Sequence, residues 1–359
     1  MGARSWLCAI FLLSLPAVAA TQSVEKQLAD EVQRLRKQAA AQPDGDLWKQ
    51  VKPGVEAGLD RIEKDVAAGR LLVAVRGLGN IRFNLLAAVY SAEHAAAQND
   101  MAEFEREWRR MDGELLPAER RQRQMAWGSS PAVVRALAEA SLGTTRPLYE
   151  ASREYAAATQ PLFGLFYLGQ AKGALDFTLF ARRLKFPEAR AQFPARSLAV
   201  EIDRLEQQVE KAYQPPLSIE RHPQFIGLNA WVKRAVELDQ GKLYHGAMVT
   251  YLEAVRSLGE LTGAAPTAED LTRLKESAAE FEKRASLPGV DHSLARLYVE
   301  LAQREIERAQ AGEAPSGLSA RALVENSLPA YFAAVERAGS ATTTAKAELT
   351  VTLVRWPFT

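Results

Sequence analysis

The chain has 359 residues, 47% of them hydrophobic, and its 45 Lys+Arg nearly balance 44 Asp+Glu. A chain this close to neutral has no general electrostatic attraction to nucleic acid or to an anionic membrane surface. Cys8 is the only cysteine and falls in an N-terminal apolar run, so the rest of the chain excludes disulfides, thiolate zinc, iron–sulfur clusters and covalently attached haem.

Residues 1–20 have the pattern of a secretion signal. Arg4 precedes an apolar run from Trp6 to Leu15, then come Pro16 and the small residues Ala17-Val18-Ala19-Ala20. The working protein is expected to begin near Thr21 and to act in a bacterial periplasm or outside the cell. Cys8 is followed by Ala9-Ile10-Phe11 rather than a cleavage junction, which argues against a lipid anchor. The run is shorter than the roughly 20 residues that span a bilayer, and no later segment is expected to span one. Four regions are expected: the signal at 1–20, a helical region at 21–214, a helical-hairpin region at 215–341 and a tail at 342–359.

Breaks recur in chain order at Gln42-Pro43-Asp44-Gly45, Gly128-Ser129-Ser130, Gln214-Pro215-Pro216, Gly263-Ala264-Ala265-Pro266 and Gly312-Glu313-Ala314-Pro315. Between them the apolar residues keep helical spacing, as in Leu198, Ile202, Leu205 and Val209, in Leu271, Leu274, Ala278 and Phe281, and in Leu294, Leu297, Tyr298 and Leu301. Ser130-Pro131 and Thr267-Ala268-Glu269-Asp270 read as helix starts. The pattern predicts about eleven helices. The fold class is all-α, as stacked antiparallel helical hairpins, irregular and solenoid-like. Pro215-Pro216 is either an internal boundary or a loop.

From Phe225 to Leu258 the residues predict one such hairpin. Trp231, Ala235 and Leu238 lie on its first helix, Gly241 near the turn, and Ala247, Tyr251 and Ala254 on its second. This segment resembles a tetratricopeptide repeat, departing from it at Lys242 and Gly259. A fainter parallel links Gly173-Ala174-Leu175 and Ala181 with Gly246-Ala247-Met248 and Ala254. The resemblance implies stacked hairpins that bind a protein or peptide and carry no chemistry of their own.

The period changes at the end of the chain, where Ala347, Leu349, Val351 and Leu353 alternate with Glu348, Thr350 and Thr352 before Trp356-Pro357-Phe358. A β-strand is expected there, paired with a segment such as Leu71-Leu72-Val73-Ala74-Val75 or with another chain. Leu349, Val351, Leu353, Trp356 and Phe358 are the candidate partner-binding residues; the alternative is that the tail folds back on its own body.

Candidate chemistry is sparse. His94, His222, His245 and His292 are the four histidines, and none has the helical spacing to an acid that metal sites use. No metal or cofactor is expected. Ser23-Val24-Glu25-Lys26 matches the Ser-x-x-Lys of penicillin-recognising enzymes, but their Ser-Asp-Asn and Lys-Thr-Gly companions are missing. Gly77-Leu78-Gly79 lacks the third glycine of a dinucleotide loop. Arg106, Arg109, Arg110, Arg120, Arg121 and Arg123 alternate with glutamates and read as a salt-bridged helix face. Phe163, Phe166, Tyr167, Phe177, Phe180 and Phe186 read as core. The leading expectation is a protein-binding or assembly module of the cell envelope. The alternative is an enzyme or small-ligand carrier whose polar pocket joins Glu93 and His94 to Asp291 and His292 across helices.

Overall fold

Each break in the sequence separates two helices. The computed structural model describes residues 23–43, 45–128, 130–187, 191–215 and 218–338, so the signal-like segment and the alternating tail, with Leu349, Val351, Leu353, Trp356 and Phe358, lie outside the described residues. The first six helices are α1 (Val24–Ala40), α2 (Asp46–Ala67), α3 (Leu71–Glu93), α4 (Met101–Gln124), α5 (Ala132–Ala158) and α6 (Pro161–Arg183). The next six are α7 (Ala199–Ala212), α8 (His222–Gln240), α9 (Tyr244–Thr262), α10 (Ala268–Ala285), α11 (Ser293–Gln310) and α12 (Ala314–Ala322). A π-helical turn at Leu323–Ser327 follows α12, and helical residues continue over 328–338. No strand occurs among the described residues.

Local chemistry sets several of these boundaries. Ser23 accepts a hydrogen bond from the Lys26 N–H at 3.3 Å, so the Ser-x-x-Lys match is the N-cap of α1. Thr267 and Asp270 form a reciprocal capping box at the start of α10. Leu198, Ile202, Leu205 and Val209 are all buried, as are Leu294, Leu297, Tyr298 and Leu301.

The expectation of strand structure at Leu71 to Val75 is overturned, because this segment is the first turn of α3. Leu72, Val73, Ala74 and Val75 are buried at consecutive positions. A helix enclosed on nearly every side shows the same unbroken apolar run as a buried strand, so periodicity cannot separate the two. α3 also corrects the expectation that no later segment could span a bilayer: it is long and apolar enough to do so by length and composition. Here it is covered by protein. Gly77 faces Ile62 of α2, and Gly79 faces Phe177 of α6. On α6, Gly169 and Gly173 sit directly on the α3 backbone, where a Cβ at Gly169 would lie 2.6 Å from the Cα of Ala87. The glycines of α3 and α6 therefore serve close helix crossing.

Consecutive helices pair as α2–α3, α5–α6, α8–α9 and α10–α11, and these are joined through α3–α6, α5–α9 and α9–α12. α3 and α6 run antiparallel, since Gly169 meets Ala87 while Gly173 meets Arg82 and Phe83. α11 returns to touch both α3 and α5, so contacts extend beyond sequential neighbours. One core runs from Val24 to Val335 and continues across Pro215, with Val209 before it and Phe225 after it. A smaller core around Phe104, Tyr149 and Leu165 fills the far end of α4, α5 and α6. In the α8–α9 hairpin Ala235, Leu238, Ala247, Tyr251 and Ala254 are buried, while Trp231 is 43% exposed.

Candidate functional site at Asp291 and His245

Helices α3, α5, α7 and α9 begin without a side-chain cap of their own. A helix start leaves backbone N–H groups that need acceptors, and here side chains from elsewhere in the chain, mostly acids, supply them. Glu300 of α11 accepts from the N–H groups of Leu72 and Val73, both at 3.1 Å. Asp291 accepts from Ala132 N–H at 2.6 Å, and the Ser293 hydroxyl accepts from Val133 N–H at 3.1 Å. Glu139 of α5 accepts from the N–H groups of His245 and Gly246, both at 3.1 Å. Asp239 accepts from Leu198 N–H at 2.7 Å. Negative charge at these positively polarised helix ends is favourable.

Two cavities meet at Asp291. One, about 700 Å³, adjoins the α10–α11 connection and is lined by Leu72, His292, Arg296 and Glu300. The other, about 770 Å³, is lined by Trp127, Arg135, Phe193, Lys242, Tyr244 and His245. Lys242 is the only described residue other than glycine with positive φ, at 59°. That backbone state is sparsely populated for a residue with a Cβ, and it places a lysine on the cavity wall.

His245 is only 6% exposed. Its Nδ1 is buried without a hydrogen-bond partner, lying 3.8 Å from a Glu139 carboxylate oxygen. Burial, reinforced by Arg135, pushes its pKa down to about 3, so the ring is neutral at ordinary pH. Glu139 is held by Arg135 at 2.6 Å as well as by the α9 N-terminus. His292 hydrogen-bonds the Tyr331 hydroxyl at 3.1 Å, and burial lowers its pKa also. Glu300 moves the other way: burial raises it to about 7 despite its two N–H donors.

The proposed meeting of Glu93 and His94 with Asp291 and His292 does not occur. Asp291 and His292 share a cavity with Leu71 and Leu72, the first residues of α3, whereas Glu93 and His94 lie at its opposite end. A helix of 23 residues is roughly 34 Å long at 1.5 Å per residue. Glu93 is exposed. His94 instead lies 3.0 Å from the Glu107 carboxylate and stacks on Tyr90 at 4.3 Å. Asp291 and His292 keep a place in the candidate site, and their neighbours are Glu139, His245 and Glu300. A signal for two of these was present in the sequence: Glu139 and Glu300 stand as lone acids in the apolar stretches Leu137-Ala138-Glu139-Ala140 and Tyr298-Val299-Glu300-Leu301, and a buried acid needs partners.

Three of the six arginines read as a salt-bridged face on α4 form ion pairs along the helix. Arg106 pairs with Glu103, Arg110 with Glu107 and Glu114, and Arg123 with Glu119. Of the aromatics read as core, Phe177 and Phe180 are buried, whereas Phe163 is 41% exposed. Among the described residues no group of three or more His, Cys, Asp or Glu could hold a metal ion. Compared with known protein families, curated proteins and solved structures, the chain has no significant match.

Proposed function

We propose that this chain is an exported helical scaffold that binds a small polar organic ligand in the cavity between α5, α9 and Asp291. The observation that carries this reading is a cavity of about 770 Å³ whose wall joins the buried His245 to Arg135, Lys242 and Asp291. The volume is typical of small-molecule sites, and Trp127, Phe193 and Tyr244 add aromatic walls to the charges of Arg135, Lys242 and Asp291. Binding is favoured over proton-transfer catalysis because a histidine with a pKa of about 3 is a weak base at neutral pH. The hairpin pairs support an irregular solenoid-like scaffold, with α11 adding contacts to α3 and α5 beyond its sequence neighbours. Native mass spectrometry of protein recovered from the periplasm should show a small-molecule adduct. Trp127→Ala, at the cavity wall, should bind it roughly tenfold more weakly, as should His245→Phe. Retention of the adduct unchanged in both variants would refute the site.

A second reading, a docking module for another envelope protein, is favoured by the exposed apolar side chains next to and along α8. Ile226 and Trp231 are 58% and 43% exposed on the hairpin that resembles a tetratricopeptide repeat, and Ile219, 61% exposed, lies just before it. In this reading the tail residues Leu349, Val351, Leu353, Trp356 and Phe358 add a strand to the partner's sheet. Periplasmic crosslinking should capture a partner that is lost from Ile226→Glu/Trp231→Glu and from a chain lacking residues 342–359. Equal capture by all three proteins would remove this reading.

A further inference from the structure

Apart from the buried Arg82, which is held by Glu31 and Asp176, the helix α3 carries one polar stripe. Arg76, Asn80 and Asn84 recur every four residues and so share a face. That face lines a cavity of about 320 Å³, to which α2 contributes Arg61, α9 Arg256 and α11 Arg304. Four guanidiniums from four helices thus border one space, while only Asp65 and Glu305 line it as acids. The carboxylates nearby are partly shared: Arg256 also bonds Glu260 at 2.9 Å and Arg304 also bonds Glu305 at 3.0 Å, while two further acids each serve two arginines. Glu253, buried behind the cavity, bonds Arg76 at 2.8 Å and Arg256 at 2.9 Å. Asp65 bonds both Arg70 and Arg304, each at 3.1 Å. Each guanidinium has five N–H donors in a fixed fork, so donors outnumber the acceptors the protein provides. The wall also includes Leu323, where the π-helical turn begins, and such turns are frequent at functional sites. Gly54 stands at the same cavity with nothing within 4 Å of an added Cβ, so the glycine leaves the space open.

The geometry points to a second binding site in this cavity, specific for a small molecule bearing a phosphate group. A phosphate presents oxygens in several directions at once, which suits donors converging from four helices. A carboxylate offers two oxygens in a single plane and would satisfy only one or two of them. Asn80 and Asn84 would contribute neutral donors and acceptors for the remainder of the ligand.

Pyrophosphate, titrated at constant ionic strength and followed by calorimetry and thermal melting, should bind saturably and raise Tm, with succinate binding at least roughly tenfold more weakly. Two variants that leave the buried ion pairs intact should each reduce pyrophosphate affinity by roughly tenfold or more. Gly54→Leu fills the opening and improves helix propensity, so loss of binding would not reflect loss of folding. Asn84→Asp keeps size and shape while adding a negative charge facing the guanidiniums. No saturable binding, succinate binding as tight as pyrophosphate, or wild-type affinity in either variant would overturn the assignment.

Discussion

Replacing Glu139 by alanine should destabilise the protein by about 3–5 kcal/mol, the range for removing one member of a buried charged network. Its side chain is 2% exposed and does three jobs at once. One oxygen takes both free N–H groups at the start of α9, and the other holds Arg135. The alanine variant leaves two buried donors without an acceptor, next to a histidine ring that already has an unpartnered nitrogen. Because α9 packs on α5, α8 and α12, loosening its first turn is felt in the central core. Glu139→Gln keeps the volume and one acceptor oxygen, so it should recover part of the loss. Urea unfolding at neutral pH measures both, read as a change in midpoint at constant slope. A loss below about 1 kcal/mol for the alanine variant would mean that water replaces the carboxylate without penalty and that the network is not a structural support.

The same network shows what a sequence read alone can and cannot reveal. The helix starts and stops were legible wherever the signal is local: Thr267 and Asp270 are three residues apart and cap each other, and the breaks at Pro43, Gly128, Pro215, Pro266 and Gly312 separate helices. The caps of α3, α5, α7 and α9 were not legible. Their acceptors stand 41 to 228 residues away in the chain, and no local spacing encodes such a pairing. His245 illustrates the point within a single hairpin. Its position on α9 followed from the periodicity of Ala247, Tyr251 and Ala254, but its isolation follows from Glu139 and Phe193, which approach from other parts of the chain. The opposite failure befell Glu93 and His94. Adjacent acid and imidazole suggested a functional pair, yet α3 carries them to the end remote from Asp291, where His94 finds Glu107 instead.

Glu300 and His245 should give stability an unusual dependence on pH, because their shifts have opposite sign. His245 is held at about 3 when folded against about 6.5 when unfolded. Between those values only the unfolded chain binds the proton, so the stability this group contributes is complete above pH 6.5 and is lost as pH falls toward 3. The full effect is about 5 kcal/mol at 1.36 kcal/mol per unit. Glu300 is raised to about 7 from roughly 4.3 unfolded. Here only the folded state binds the proton in the intervening range, so its contribution is complete below about pH 4.3 and is lost as pH rises through 7, by about 3–4 kcal/mol. From about pH 4.3 to 6.5 the two slopes cancel, and below that window the histidine acts alone and acid destabilises steeply. Glu300→Gln isolates the acid, since the amide oxygen can still accept from Leu72 and Val73 but cannot titrate. Relative to the wild type, this variant should gain about 1.4 kcal/mol per pH unit between about pH 4.3 and 7. Urea unfolding at half-unit pH steps tests the prediction. A difference between the two proteins that stays constant across the window would show that Glu300 is ionised throughout it, and that its carboxylate meets the N-terminus of α3 as an ordinary charged cap.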